Sequence, residues 1–123
     1  MSTSYYWQGV HNKQHQTLHI GTSACGWCFF LHVIPEIQIN DLDDWKKLWN
    51  NKESVIYDEY DAIISVEEME DIITNRSWPK SIPFKLITNA EIGPNNLLRE
   101  KVDGARCIKH GAGTWDCIIG EFS

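Results

Sequence analysis

The sequence predicts an α+β fold, a mainly antiparallel sheet with two helices packed on one of its faces. Three observations indicate this. Short runs of aromatic and β-branched residues recur along the chain and are separated by turn-forming residues. Two stretches repeat apolar residues at helical spacing, and each begins at a capping residue. The length of 123 residues suits one domain, 1–123, with a single small core.

The first elements of the chain are a predicted hairpin and a loop. Residues 5–8 and 17–20 form the two arms, and the polar segment 10–16 connects them. Residues 21–26, GTSACG, are small and bounded by glycines, which is typical of a tight loop. The backbone amides of this loop, with the hydroxyls of Thr22 and Ser23, could hold a small anionic ligand.

Residues 27–34, WCFFLHVI, form the longest aromatic and apolar run in the chain. Gly26 and Pro35 bound it, so it is too short for a helix and predicts a buried strand in the middle of the sheet. This strand would hold the preceding loop out as a recognition surface.

The first helix is predicted to follow Asn40 or Asp41, either of which can cap its start. Its apolar face comprises Leu42, Trp45 and Leu48 or Trp49 at helical spacing. Acidic residues lie in its first turn and lysines towards its end, which suits the helix dipole.

The second helix is predicted to begin at Ser65, because Ser65 and Glu68 form a capping box. Before it, the apolar segments 54–57 and 62–64 flank the acidic segment 58–61, which indicates a hairpin. The exposed tip of this hairpin would present Asp58, Glu59 and Tyr60.

The C-terminal third predicts shorter elements. Residues 84–88 suggest an edge strand, and Asn96 could cap a short helix. Residues 106–110 and 114–121 predict a final hairpin. With a three-residue connection, its register would place Cys107 opposite Cys117.

The charge distribution restricts the class of partner. The net charge is −6, and residues 36–75 carry twelve acids against three lysines. Residues 76–110 carry seven bases against three acids. An acidic chain is a poor ligand for nucleic acid, so we expect no nucleic-acid partner. The asymmetry fits either a charged partner or self-association into a homo-oligomer.

The chain contains no apolar run of about 18 residues and no signal-peptide pattern at its start. We therefore expect no membrane association and a cytoplasmic location. Cysteines in that compartment are reduced thiols or metal ligands.

The cysteines suggest a zinc site. Cys25 and Cys28 have knuckle spacing, and Cys107 with His110 could supply the other two ligands, with Cys117 as a substitute. If 107–110 is fully extended, its two ligands lie on opposite faces, about 10 Å apart. The site therefore requires His110 in a turn, and buried thiols acting as core residues remain the alternative.

An enzyme is a further alternative. His19, His32 and His110 could line the pocket of a small enzyme or nucleotide-binding module, and convergence of at least two of them on one cleft would support it. No nucleophile is identifiable beside them. The sequence therefore identifies no catalytic residue and favours a protein that is not an enzyme.

The chain resembles small, functionally uncharacterised proteins of tailed bacteriophages. These share H-I-G-x-S-x-x-G-W-x-F, D-E-Y-x-x-x-I-S-x-E-E and a C-terminal ending in G-E-F-S, matched here by 19–29, 58–68 and 111–123. The chain departs from the group at Thr22, where lysine is usual, and at Asp61, where glycine is expected. The loss of the lysine weakens an anion-binding role for the loop.

The resemblance implies a phage-encoded accessory protein in the cytoplasm of the bacterial host, without implying an activity. Our first hypothesis is that it binds a host or host-defence factor and acts by occupancy. The residues predicted to contact a partner or ligand are His19, Thr22, Ser23, Trp27, His32, Asp58, Glu59, Tyr60, His110 and Trp115.

Overall fold

A computed structural model describes residues 2–80, 90–102, 106–111 and 113–122. It confirms the predicted α+β class, with a mainly antiparallel sheet and two helices. The elements in chain order are β1 (Ser2–His11), β2 (Gln14–Ala24), β3 (Phe29–Val33), α1 (Leu42–Trp49), β4 (Val55–Asp58), β5 (Ile63–Ile64), α2 (Val66–Thr74), β6 (Ala90–Ile92), β7 (Leu98–Glu100), β8 (Cys107–His110) and β9 (Trp115–Ile119).

The strands form two sheets. The main sheet has the order β5-β4-β1-β2-β3-β9-β8, and β6 pairs with β7 in a separate two-stranded sheet. Every pairing is antiparallel except that of β3 with β9, which is parallel. The predicted central strand is therefore an interior strand of the main sheet, with a partner on each side.

The core lies between the main sheet and the two helices. Trp45 of α1 and Met69 of α2 belong to the same buried cluster as Trp7, Phe29 and Leu31 of the sheet. Both helices therefore cover one face, as predicted. Because side chains alternate along a strand, the residues between these core positions point to the opposite face.

The sequence predicted the first hairpin and both helices correctly. The hairpin turns at Asn12 and Lys13, whose φ angles of 53° and 66° suit a tight two-residue turn, so the connection is shorter than predicted. Asp41 caps α1 by accepting a hydrogen bond from the Asp44 amide at 3.0 Å. Ser65 caps α2 by accepting one from the Glu68 amide at 3.1 Å.

The predicted loop at 21–26 is wrong, because β2 continues to Ala24. Only a turn at Cys25 and Gly26 follows it, closed by a 3.2 Å hydrogen bond from the Trp27 amide to the Ala24 carbonyl. Gly21 is needed for close packing, since a Cβ there would lie 2.1 Å from the Phe30 carbonyl oxygen. The recognition loop and its proposed anion cradle are therefore absent.

Two C-terminal predictions are also wrong. The predicted helix after Asn96 is strand β7, which follows a turn in which Asn95 and Asn96 have positive φ. In the last hairpin Cys107 pairs with Ile118 instead of Cys117, because His110 pairs with Asp116 and the connection is therefore longer than the predicted three residues. The predicted edge strand at 84–88 lies outside the described residues.

Neither α1 nor α2 has the length and apolarity required to span a bilayer, and the described chain contains no other α-helix.

Candidate functional site

A row of aromatic rings crosses the face of the main sheet that the helices leave open. Tyr57 of β4 stacks on Tyr6 of β1 with 5.6 Å between ring centroids, and Tyr6 lies 5.3 Å from His19 of β2. His19 is in turn 5.5 Å from His32 of β3. Four neighbouring strands thus each contribute one ring.

The C-terminal segment extends this row. The Phe122 ring lies 5.0 Å from His19 and 5.2 Å from His32, in edge-on geometry. Phe30 contacts Phe122 at 6.3 Å and Trp27 at 5.7 Å. We call these seven partly exposed rings the aromatic face: Tyr57, Tyr6, His19, His32, Phe122, Phe30 and Trp27.

The two histidines in the aromatic face are uncharged at neutral pH. Burial lowers the pKa of His19 to about 4, and the neighbouring His32 lowers it further. Burial also lowers the pKa of His32, whose Nδ1 lies 3.0 Å from the His19 carbonyl oxygen. The aromatic face is therefore apolar in character over most of its length.

An acidic hairpin borders the aromatic face at the Tyr57 end. The tip between β4 and β5 carries three carboxylates, and Tyr60 there is 68% exposed. A cavity of about 240 Å³ lies between the tip and the two tyrosines; its lining residues are Tyr6, Thr17, Tyr57, Asp58, Glu59 and Asp61. Within the described parts of the chain, none of these carboxylates has a Lys, Arg or His partner.

A second polar group lies at the other end of the same face, where β6 and β7 cover β8 and β9. His110 Nδ1 is 3.0 Å from Asp116 Oδ1 and 3.8 Å from Cys107 Sγ. His110 Nε2 lies 2.5 Å from Glu91 Oε1. Asp116 is fully buried, and Cys107 is 1% exposed.

Arg99 of β7 balances part of this charge. Its Nε lies 3.0 Å from Asp116 Oδ1, although this N–H is not aligned for a hydrogen bond. Its Nη2 donates to the Gly113 carbonyl at 3.0 Å and approaches Cys28 Sγ at 3.6 Å. The second sheet therefore contributes a cation and, through Glu91, an anion to the group.

The bulge at Ile108 explains why Cys107 and His110 meet. In a regular strand, residues three apart lie on opposite faces. An extra residue in one strand reverses that alternation locally. Both side chains therefore point to the same side although His110 lies in a strand. The expectation that the metal site requires His110 in a turn is wrong.

Burial is the largest influence on the pKa values of Asp116 and Cys107. It raises the pKa of the Asp116 carboxyl, a rise opposed by Arg99, His110 and the Glu100 backbone amide. Burial also raises the pKa of Cys107 to about 12. Asp116 Oδ2 nonetheless accepts no hydrogen bond of regular geometry from the described residues.

Cys107, His110 and Asp116 could hold a metal ion, because one ligand atom from each lies within 4.8 Å of the others. This supports only half of the predicted ligand set. Cys28 is buried beside Arg99, and Cys25 is exposed at the turn, so neither belongs to this group.

The other predicted contact residues are divided among different environments. His19 and His32 lie in contact on the aromatic face, whereas His110 lies in the buried polar group, so the structure brings together two of the three predicted histidines. Thr22 is buried, with its Oγ1 3.2 Å from Ser4 Oγ, and Ser23 Oγ accepts a hydrogen bond from Arg76 at 2.7 Å. Trp115 packs against the core.

Several residues of both sites were not predicted from the sequence: Tyr6, Tyr57, Phe122, Glu91 and Arg99. Alternation within each strand could have placed the first two on the open face. No local signal identifies Glu91 or Arg99, since they join the group through a second sheet.

Comparison with protein-family models, with curated proteins and with solved structures finds no match to this chain.

Proposed function

We propose that this chain is a phage-encoded accessory protein that binds a host or host-defence protein in the bacterial cytoplasm and acts by occupancy. One observation supports this most directly. The sheet face opposite the helices carries the aromatic face, and an acidic tip borders it.

The composition of the aromatic face suits protein recognition. Aromatic side chains provide large contact areas and are enriched among the residues that dominate binding energy. All seven rings are partly exposed, and contiguous apolar surface that solvent can reach on a small protein commonly marks an interaction site. The two histidines do not oppose this role, since both are neutral near pH 7.

The chemistry of the acidic tip favours a partner with a basic surface. Residues 53–75 contain eight acids and no Lys or Arg, so the charge there is not compensated locally. The cavity beside the stacked Tyr6 and Tyr57 rings combines aromatic surface with carboxylates. A lysine or arginine side chain gains from both, through cation–π contact and charge pairing.

The test is affinity capture from host lysate with the wild-type chain and two variants. Tyr57→Ala removes one ring of the stacked pair, and Ile92→Ala removes an exposed apolar residue on β6. We expect one captured protein with a basic surface, lost at high salt and lost with Tyr57→Ala but retained with Ile92→Ala. Equal capture by all three chains would contradict the proposal.

A zinc-stabilised binding module is the second candidate, favoured by the Cys107, His110 and Asp116 group. Thiolate, imidazole and carboxylate are the donors zinc takes in proteins. A structural ion is compatible with partner binding elsewhere. We expect elemental analysis of protein purified without chelators to find about one zinc per chain; a metal-free, fully folded preparation would reject this candidate.

A further inference from the structure

Two distances in the buried polar group are close to those of a metal centre. Tetrahedral zinc with bonds of about 2.3 Å to sulfur and 2.0 Å to nitrogen or oxygen places sulfur and nitrogen about 3.5 Å apart, and nitrogen and oxygen about 3.3 Å apart. The observed separations are 3.8 Å from Cys107 Sγ to His110 Nδ1 and 3.0 Å from His110 Nδ1 to Asp116 Oδ1. The third pair, Cys107 Sγ and an Asp116 carboxylate oxygen, lies within 4.8 Å, so the three ligand atoms must move closer together to complete the geometry.

Asp116 provides independent evidence for a ligand. Its side chain is fully buried, yet Oδ2 accepts no regular hydrogen bond from any described residue. A buried polar atom without a hydrogen-bond partner destabilises the folded state, and more strongly when it is charged. A cation bound by both oxygens of this carboxylate would reach Oδ2 and remove that cost.

Glu91 occupies the position of an outer-shell residue. Histidines that bind metal through one nitrogen commonly donate the other N–H to a carboxylate, which fixes the ring. Here Glu91 Oε1 faces His110 Nε2, so that Nδ1 is directed towards Cys107 and Asp116. Because Glu91 belongs to β6, this contact also joins the second sheet to the main sheet.

The charges of the group balance with a divalent ion present. One thiolate and the carboxylates of Asp116 and Glu91 carry three negative charges, and Arg99 with a divalent ion carries three positive charges.

We infer that Cys107, His110 and Asp116 are the protein ligands of a single zinc ion, with Glu91 orienting the imidazole and water completing the coordination. Soft thiolate and imidazole donors favour zinc over magnesium or calcium. The inference deepens the zinc-stabilised candidate and rests on it, whereas partner binding by the aromatic face is independent of it.

Cobalt provides a direct test because it replaces zinc with similar geometry and reports a sulfur ligand by its charge-transfer absorption. The full-length protein is stripped with a chelator and titrated with Co²⁺ alone. We expect saturation at about one equivalent, a thiolate-to-cobalt band, and loss of the band when Zn²⁺ is added. No band in the wild-type protein would overturn the inference and leave the group as an ionic network.

Two cysteine variants identify the ligand. Cys107→Ser is expected to abolish the thiolate band, and Cys25→Ser, at an exposed thiol outside the group, is expected to retain it. The reverse pattern would place the metal elsewhere and overturn the assignment.

If Cys107→Ser does not fold, the Glu91→Gln variant provides the test instead. The Glu91 side chain is 43% exposed, so we expect this variant to fold. It should keep the band and weaken zinc binding by about 10- to 100-fold; unchanged affinity would remove Glu91 from the site.

The outcomes separate the two proposals. If the protein does not bind metal but capture of the partner still depends on Tyr57, only the metal centre is overturned. If the protein binds metal normally but Tyr57→Ala captures the partner as well as the wild-type chain does, only the binding function is overturned.

Discussion

His19 couples the aromatic face to pH. Its pKa in the folded protein is lowered from 6.5 to about 4 by burial. The folded state therefore favours the neutral ring, and protons bind the unfolded chain more readily between these two values. The contribution of His19 to stability is complete above about pH 6.5 and is lost as the pH falls towards 4.

We expect His19→Gln to reduce the acid sensitivity of the protein. At about 1.4 kcal/mol per pH unit, the wild-type protein should lose up to about 2.5 kcal/mol more unfolding free energy than the variant between pH 7.5 and 4.5. Urea unfolding at both values measures this. The exposed Gln14→Ala change in the same hairpin should keep the wild-type dependence, and an equal loss in His19→Gln would argue against burial of the ring.

The sequence indicates which residue types could form a site more readily than it indicates which residues they contact. Cys107 and His110 are recognisable as metal-binding residue types at a plausible spacing, and the structure brings them together. Their partners could not be predicted. Asp116 reaches Cys107 and His110 because β9 pairs with β8. The bulge that places Cys107 and His110 on the same side of β8 has no distinctive sequence.

At the scale of elements, local rules identified both helices, the β1–β2 hairpin and the β4–β5 hairpin. Capping side chains at Asp41 and Ser65 satisfy free backbone amides, and these interactions depend on residues three positions away. The error at 21–26 has a different origin. Glycine permits both a turn and the close approach of two strands, and only the packing of β2 on β3 distinguishes them.

Gly21→Ala tests that packing. A Cβ would lie 2.1 Å from the Phe30 carbonyl oxygen and 2.5 Å from Phe29 Cε1, so the strands must separate. We expect a loss of roughly 3 kcal/mol in unfolding free energy, measured by urea denaturation. At Gly120 no atom lies within 4 Å of the added Cβ and φ is +88°, so the alanine control should cost only about 1 kcal/mol. Equal losses would show that packing at Gly21 is loose.

For the whole molecule, strand order creates both candidate sites. The aromatic face exists because β4, β1, β2 and β3 are consecutive neighbours in the main sheet. The buried polar group exists because β9 pairs in parallel with β3, which places β8 and β9 beneath the second sheet. Residues far apart in the chain therefore meet, as Glu91 and His110 do.

The sequence by itself determined the α+β class, the two capped helices, the first hairpin and the acidic tip, because periodicity, capping and turn formation act over a few residues. Only the tertiary structure decided that 21–24 is strand, that Cys107 faces Ile118, and which polar side chains share a buried site. Those outcomes depend on strand order, register and burial, which are set by contacts between distant residues competing for one core.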